Sequence, residues 1–568
     1  MTASTTSRLG NILAQTGLLT EPQISAVLEE KKTSGRGITE TVKAGGYAQE
    51  DVFLEALSRI LKLRFVKLDS QAIEQSAIKA LPPKVAFQYN VVPVAIDNGV
   101  LLVAASEPFN TDLVDAIRVA SGMRVRLVLS VSAEIQRAAK KFYGIGADTV
   151  EKMIEDNRIE VDVAGDSLKL DLNELDQEAS IVKFVNQIIL EAYNERSTDI
   201  HLEPMKDLLR IRYRVDGILH ETPLPAQLNR FQSAIISRIK VMANMDIAEK
   251  RLPQDGRIGM RIQGEDIDIR VSTMPTVYGE SVSLRLLMRG KGLISISELG
   301  MNPKDVEAIK KLINRPNGII LVTGPTGCGK STSLYAYLHE INTIDQRILT
   351  IEDPIEYEME GVNQVQLRDE IGLTFAGALR TFLRQDPDVL MVGEIRDFET
   401  AEIAIRASLT GHLVFSTLHT NDASGAVTRL LDMGVEPFLV ASALKAIIAQ
   451  RLVRRLCLDC KKAVTSPDIP FLQSAGFPVE RLAGISLYDS VGCEKCHNTG
   501  YRGRTGIYEV LLVTEEIEQL IVAREPASKI KQCAVSRGMR TLRDDGWEKV
   551  LSGMTTVEEI VKASEEDT

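Results

Sequence analysis

Residues 318–332 read GIILVTGPTGCGKST. A wholly apolar run leads into a glycine-rich loop and then a helix start, and the loop matches G-x-x-x-x-G-K-[ST] in full. That order leaves few folds open. An apolar strand with no polar face belongs in a parallel sheet covered on both sides, so the chain around it must alternate strands and helices. Gly324, Gly327 and Gly329 let backbone N–H groups turn toward phosphate oxygens, with Pro325, Thr326 and Cys328 completing the cradle. Lys330 is placed to reach the β- and γ-phosphates. Ser331 is placed to ligate Mg2+, with Thr332 beside it, and the helix N-terminus adds partial positive charge.

A phosphate loop needs carboxylates to hold Mg2+ and position water. DPDVLMVGEIRD supplies Glu394, just beyond the buried-strand run Val389 to Val392, where its length suits a Mg2+ held through water. ILTIEDPIEYEM supplies a second strand ending in Glu352-Asp353-Pro354, then Glu356; Pro354 forces a turn expected to aim these carboxylates at one place. In SLTGHLVFSTLHTNDA, His412 and His419 bracket a strand, with Thr417 and Thr420 nearby, and both histidines are candidates to sense a γ-phosphate.

Four of the 6 cysteines form Cys457-x-x-Cys460 and Cys493-x-x-Cys496. Two such knuckles in an expected reducing compartment predict a closed, structural Zn2+ site in an insert over 455–500, with an iron–sulfur cluster as the alternative. Arg451, Arg454 and Arg455 precede the first knuckle, and a basic flank on a zinc ribbon can mean nucleic acid. Charge and aromatics speak against that: 67 − 78 gives −11, with 1 Trp and 5% aromatic residues. Yet residues 151–178 alone hold 10 acids and 3 bases, −7 of the −11. The acidity thus marks a linker, set at 146–179, and the motifs rather than the charge exclude nucleic acid. No apolar run reaches the roughly 18 residues of a membrane span, and no signal peptide opens the chain, so a cytoplasmic location is expected.

Upstream, residues 1–62 carry a repeat of 29 residues in which Leu9, Leu13, Gly17, Glu21, Ile24 and Leu28 align with Ile38, Val42, Gly46, Glu50, Phe53 and Leu57. Each copy predicts a short helix, a turn and a second helix. Residues 63–145 read as a small α/β module, with Asn98-Gly99 turning between strands and a helix ending at Gly122. Residues 180–290 read as an arginine-rich α+β domain, opening on an amphipathic helix and a hairpin turning at Asp216-Gly217.

The phosphate loop, TIEDPIE, MVGEIRD and STLHTNDA boxes, in this order, resemble the secretion-ATPase superfamily of type IV pili and type II secretion; RVDG, DIAEKRLPQDGR, DIRVSTMPTVYGES and GYRGRTGIYEVL extend the likeness over about 180–568. In this likeness the tetracysteine element belongs to pilus-assembly and type II secretion motors and not to retraction motors, and the long N-terminal module points to the pilus-assembly (PilB) branch, with the type II secretion motor as the alternative. The resemblance implies a RecA-like core over 291–568 with a zinc insert, a preceding PAS-like α+β domain, and a homohexamer that binds ATP and Mg2+. It further implies an inner-membrane platform protein as partner and peripheral attachment to that membrane. By the same likeness Glu356 is the water-activating carboxylate, Glu394 the Mg2+-associated one, and His419 and His412 the nucleotide-linked histidines. Arg270 and Arg285, with Arg257 next, match arginines that reach the phosphates. RLGNILAQTGLL resembles an N-terminal motif that in part of the family binds cyclic di-GMP through an arginine (here Arg8) and glycines (Gly10, Gly17); Thr39 departs from it in the second copy. A ring-shaped nucleic-acid motor and a non-hydrolysing ATP-binding scaffold are the rival classes.

Overall fold

A computed structural model describes residues 8–151, 153, 172–288, 294–482 and 485–564. The chain divides into two compact units, residues 1–286 and 287–568.

In the first unit the repeat forms four helices, Arg8–Gln15, Glu21–Ser34, Ile38–Ala44 and Glu50–Leu61. Their apolar repeat positions Leu13, Ile24, Ile38, Val42, Phe53 and Leu57 are buried together. The α/β module follows, with β1 (Val91–Asp97), β2 (Val100–Ala105) and β3 (Arg124–Leu129). Asn98 and Gly99 both take positive φ, 50° and 77°, which a two-residue hairpin turn demands. The helix Thr111–Ser121 stops at Gly122 in the left-handed conformation, as the sequence predicts.

The arginine-rich domain is a six-stranded sheet of β4 (Ser197–Pro204), β5 (Leu209–Val215), β6 (Ile218–Glu221), β7 (Gln254–Ile262), β8 (Glu265–Thr276) and β9 (Gly279–Met288), in the order β6-β5-β4-β9-β8-β7. One face buries Ile200, Ile211, Ile269 and Leu284 among residues of the helices Leu172–Asn194 and Gln232–Met242. The other face carries the alternate, polar positions. The expected linker is shorter than its charge run. Ile145, Val150 and Met153 are buried with Phe184 in this core, and the helix already begins at Leu172; residues 154–171 lie outside the described ones.

The second unit holds a seven-stranded sheet of β10 (Gly318–Thr323), β11 (Ile348–Glu352), β12 (Val362–Gln366), β13 (Val389–Val392), β14 (Leu413–Leu418), β15 (Leu444–Leu456) and the last strand, β18 (Tyr501–Leu512). Its order is β12-β11-β13-β14-β10-β15-β18, parallel except for β18. Every residue of β10, β13 and β14 is buried, as in a sheet covered on both faces. The insert, with the short pair β16 (Lys462–Ala463) and β17 (Tyr488–Asp489), lies between β15 and β18. No helix among the described residues is long and apolar enough to cross a membrane.

Candidate active site

Four adjacent parallel strands, β11, β13, β14 and β10, end at one edge of the sheet. Their C-terminal ends carry the acidic box, Glu394, His419 and the phosphate loop, so four segments far apart in sequence converge. Short polar ties hold that edge. The Thr417 hydroxyl donates to the Gly393 carbonyl (2.7 Å), and the Thr420 N–H donates to the Thr323 hydroxyl (2.9 Å).

The loop is folded as glycine permits. At Gly324, φ is +146°, and a Cβ there would lie 2.6 Å from the Gln450 carbonyl oxygen and 2.7 Å from Cys328 Sγ. Gln450, on β15, clamps the loop: its Nε2 donates to the Cys328 carbonyl (2.8 Å) and its Oε1 accepts from the Ser333 hydroxyl (2.8 Å). Ser331 and Thr332 open the helix Lys330–Ile341, with Ser331 exposed. Lys330 Nζ donates to the carbonyls of Gly324 (2.8 Å) and Pro325 (3.1 Å), which holds the ammonium at the loop. Burial lowers its pKa, and Glu394 is near enough for its charge to oppose that shift.

Glu394 sits in a charge chain. One carboxylate oxygen takes the Arg396 guanidinium, the other lies 3.0 Å from His419 Nε2, and Arg396 also reaches Asp353 (3.1 Å). Arg396 follows Glu394 by two residues, yet nothing in the spacing marks it as the bridge to the acidic box. The turn at Pro354 does not aim all three carboxylates alike. Glu352 is buried, accepting from the Thr350 hydroxyl (2.6 Å), the Gln364 amide (3.1 Å) and the Tyr335 hydroxyl, and burial raises its pKa. Asp353 is exposed and Glu356 half-buried.

His412 is not brought to this edge. It precedes β14, whose first residue Leu413 pairs with Gly318 at the start of β10, and its Nδ1 lies 2.9 Å from the Ala407 carbonyl. The six-residue strand places it on the order of 20 Å from His419. As a γ-phosphate sensor in its own chain it is corrected: it caps the turn that enters the strand.

Arg270, Arg285 and Arg257 occupy the open face of the first unit's sheet. Arg285 Nε donates to Asp199 (2.9 Å), which also faces Arg214 at 3.8 Å, and Arg257 stands directly opposite Arg270 in the β7–β8 register. Arginines from four strands, β5, β9, β8 and β7, therefore share one surface. Asp199 and Arg214 belong to it without a signal in sequence.

The four knuckle cysteines meet. Their sulfur atoms all lie within 4.8 Å of one another, with Cys457–Cys493 and Cys460–Cys496 at 3.8 Å and Cys496–Cys493 at 3.7 Å. Four thiolates at the usual Zn–S length of about 2.3 Å stand about 3.8 Å apart at tetrahedral corners, so the set fits zinc. Burial raises the Cys496 pKa, but N–H groups of Cys493 and Gly500, each 3.2 Å from its sulfur, bring it to about 7. The basic flank is largely committed elsewhere: Arg454 pairs with Glu559 and lies 4.0 Å over the Tyr501 ring, and Arg451 donates to the carbonyls of Gln450 and Asn421.

In the N-terminal repeat, Thr39 has a structural reason. Its hydroxyl donates to the Ser106 carbonyl (2.8 Å), while the Glu107 carboxylate accepts from the Glu40 N–H (2.9 Å). A Cβ at Gly37 would lie 2.2 Å from the Glu107 carboxyl carbon, so a side chain of this protein already covers the start of the second copy.

The family model for type II/IV secretion system proteins matches residues 174–562. The chain belongs to the type II/IV secretion system protein family. As a family member it is an ATP hydrolase with a RecA-like core. A second family model, the MshEN domain, matches residues 61–149, which leaves the helical repeat almost wholly outside its span. The chain is 41% identical over 558 residues to the type IV pilus assembly ATPase PilB of Myxococcus xanthus, covering 98% of both chains. It is 39% identical over 577 residues to the type II secretion system protein E of Xanthomonas campestris, covering 99% of both. The structure of the ATPase DotB from Legionella pneumophila has the same fold at 21% identity and a TM-score of 0.51, over 68% of this chain and 96% of that one.

Proposed function

We propose that this secretion-family ATPase works as a homohexamer that drives assembly of type IV pilus fibres through an inner-membrane platform protein. The convergence of four strand ends on one phosphate loop supports the chemistry. The near-complete coverage of the Myxococcus pilus-assembly ATPase supports the cargo. Lys330 and the loop N–H groups bind the β- and γ-phosphates, and Ser331 with Glu394 would hold Mg2+, which when bound neutralises charge on the phosphate oxygens. Glu356 takes the proton of the attacking water. His419, joined to Glu394, reports whether the γ-phosphate is present. Arg270 and Arg285 supply positive charge to the phosphoryl group in the assembled ring. Zn2+ holds the insert through Cys457, Cys460, Cys493 and Cys496. The domains are read as 1–145, 180–290 and 291–568 around a linker within 146–179.

The protein is placed in the cytoplasm, attached to the inner membrane through its partners. The equivalent motor of a type II secretion system is the second reading, favoured by the Xanthomonas likeness. Replacing the gene by a Lys330→Ala copy and scoring surface pili and secreted proteins separately divides the two. Loss of pili with intact secretion supports pilus assembly, and the reverse sinks it. For the N-terminal module, we infer that any cyclic di-GMP is held by the first repeat copy, through Arg8 and Gly10, because Glu107 covers the second. Calorimetric titration of the full chain checks this, and the absence of heat rejects it.

A further inference from the structure

Tyr335 lies five residues beyond Lys330 in the helix that leaves the phosphate loop, and its side chain is buried. Its hydroxyl joins two parts of the acidic box. It donates to the Glu352 carboxylate and accepts the backbone N–H of Glu356 at 3.1 Å. The ring stands edge-on to Tyr357, with centroids 5.7 Å apart. Around this point the segment is knitted further: Gln364 Nε2 donates to Glu352 (3.1 Å) and to the Tyr357 carbonyl (2.9 Å), and the Ile355 N–H donates to Gln366 Oε1 (3.0 Å). Those glutamines come from β12, at the edge of the sheet. Of these contacts, Tyr335 alone comes from the phosphate-loop helix.

We propose that Tyr335 is a positioning residue for ATP hydrolysis: its hydroxyl fixes the backbone of Glu356 against the phosphate-loop helix. The loop that grips the γ-phosphate and the carboxylate that draws the water proton are then carried as one piece. The inference rests on Glu356 being the water-activating carboxylate. The chemistry requires such a tie. A general base acts only within hydrogen-bond reach of the proton it takes, and a misplacement of about 1 Å can cost roughly a hundredfold in rate. Glu356 stands on a turn, four residues past the end of β11, so the strand does not fix it. The Tyr335 hydroxyl supplies the fixed point, and Glu352 orients that hydroxyl so that its lone pair meets the Glu356 N–H. Glu352 is thereby engaged in holding the box.

The test compares full-length Tyr335→Phe, Glu356→Gln and the double variant in single-turnover ATP hydrolysis, with KM for ATP measured on the first. Phenylalanine keeps the ring against Tyr357 and removes only the hydroxyl. The expected result is a fall of about tenfold in kcat for Tyr335→Phe with KM within about twofold, because the phosphate contacts are intact. Glu356→Gln is expected to fall about a hundredfold or more. The double variant should be no slower than Glu356→Gln, since a displaced amide has no base function left to lose. A multiplicative double variant, or unchanged kcat in Tyr335→Phe beside an inactive Glu356→Gln, overturns the positioning role alone. Normal hydrolysis by Glu356→Gln overturns both the role and the site reading beneath it. Should Tyr335→Phe not fold, amide exchange of the native protein decides: protection of the Glu356 N–H supports the tie, and free exchange overturns it.

Discussion

The Gln450 clamp offers a quantitative test of how the phosphate loop is held. Gln450 is 1% exposed and spends both ends of its amide on the loop region, one on the Cys328 carbonyl and one on the Ser333 hydroxyl, each at 2.8 Å. Gln450→Leu keeps the volume and removes both bonds. The Ser333 bond is worth about 0.5–1.5 kcal/mol net, and the Cys328 carbonyl left buried without this donor costs about 1–3 kcal/mol, so the native loop loses roughly 1.5–4.5 kcal/mol. The Ser333 hydroxyl can turn to a carbonyl of its own helix, which puts the expectation at the lower half of that range. Two readouts follow. The urea midpoint of the motor should fall by an amount equivalent to about 2–3 kcal/mol. ATP should bind about 10- to 30-fold more weakly, because the nucleotide must now select a loop conformation that is no longer the resting one. Gln450→Glu adds a control. It keeps an acceptor for Ser333 but sets an oxygen against the Cys328 carbonyl, so affinity should fall at least as far. Lost stability with unchanged ATP affinity would refute the clamp, because the two bonds would then serve the fold and not the loop.

Gly324→Ala should abolish ATP binding in equilibrium dialysis while the remainder of the motor folds: its φ of +146° costs about 1–3 kcal/mol for a residue with a Cβ, and that Cβ meets a backbone oxygen at 2.6 Å. Metal analysis should find zinc in the wild-type chain and none in Cys460→Ser, with proteolysis of 457–500 sharply faster in the variant. For Glu559, burial pushes the carboxyl up, but the Arg454 side chain and backbone N–H pull it below 4.5 overall. A folded pKa lowered in this way stabilises above the unfolded value and loses that contribution as pH falls through the folded one. The stability gap between wild type and Glu559→Gln near neutral pH should therefore hold down to about pH 5 and narrow as the pH falls further. A gap that widened on acidification would contradict the assignment.

What the sequence reveals depends on how far apart the partners are. The phosphate loop is legible because strand, glycines, lysine and serine are contiguous, and the zinc ligands are legible because each knuckle spans four residues. The two histidines look equivalent in the sequence, since both flank an apolar run. Parallel strands separate them: one end of β14 faces the nucleotide edge and the other does not. The reading of the acidic box fails for a similar reason. Spacing shows three carboxylates at a turn, but only packing shows that Glu352 faces Thr350, Gln364 and Tyr335. Tyr335 and Gln450 have no local pattern. Gln450 lies 122 residues from the carbonyl it grips, and a single glutamine beside the basic end of a strand gives no sign of what it touches.

The insert joins two strands that are already fully paired. The β15–β18 ladder runs from Ala446↔Leu512 out to Leu456↔Tyr501, and the cysteines begin at the next residue. Topologically the 44 residues from Cys457 to Gly500 are the tip of a hairpin, closed at its base by the Cys457 N–H donating to the Gly500 carbonyl (2.9 Å). The tip is nonetheless anchored, since Leu472, Phe477 and Leu487 are buried in the motor core and Phe477 stands edge-on to Trp547, so its exposed segments can change in length without shifting the register of any strand that carries the nucleotide chemistry.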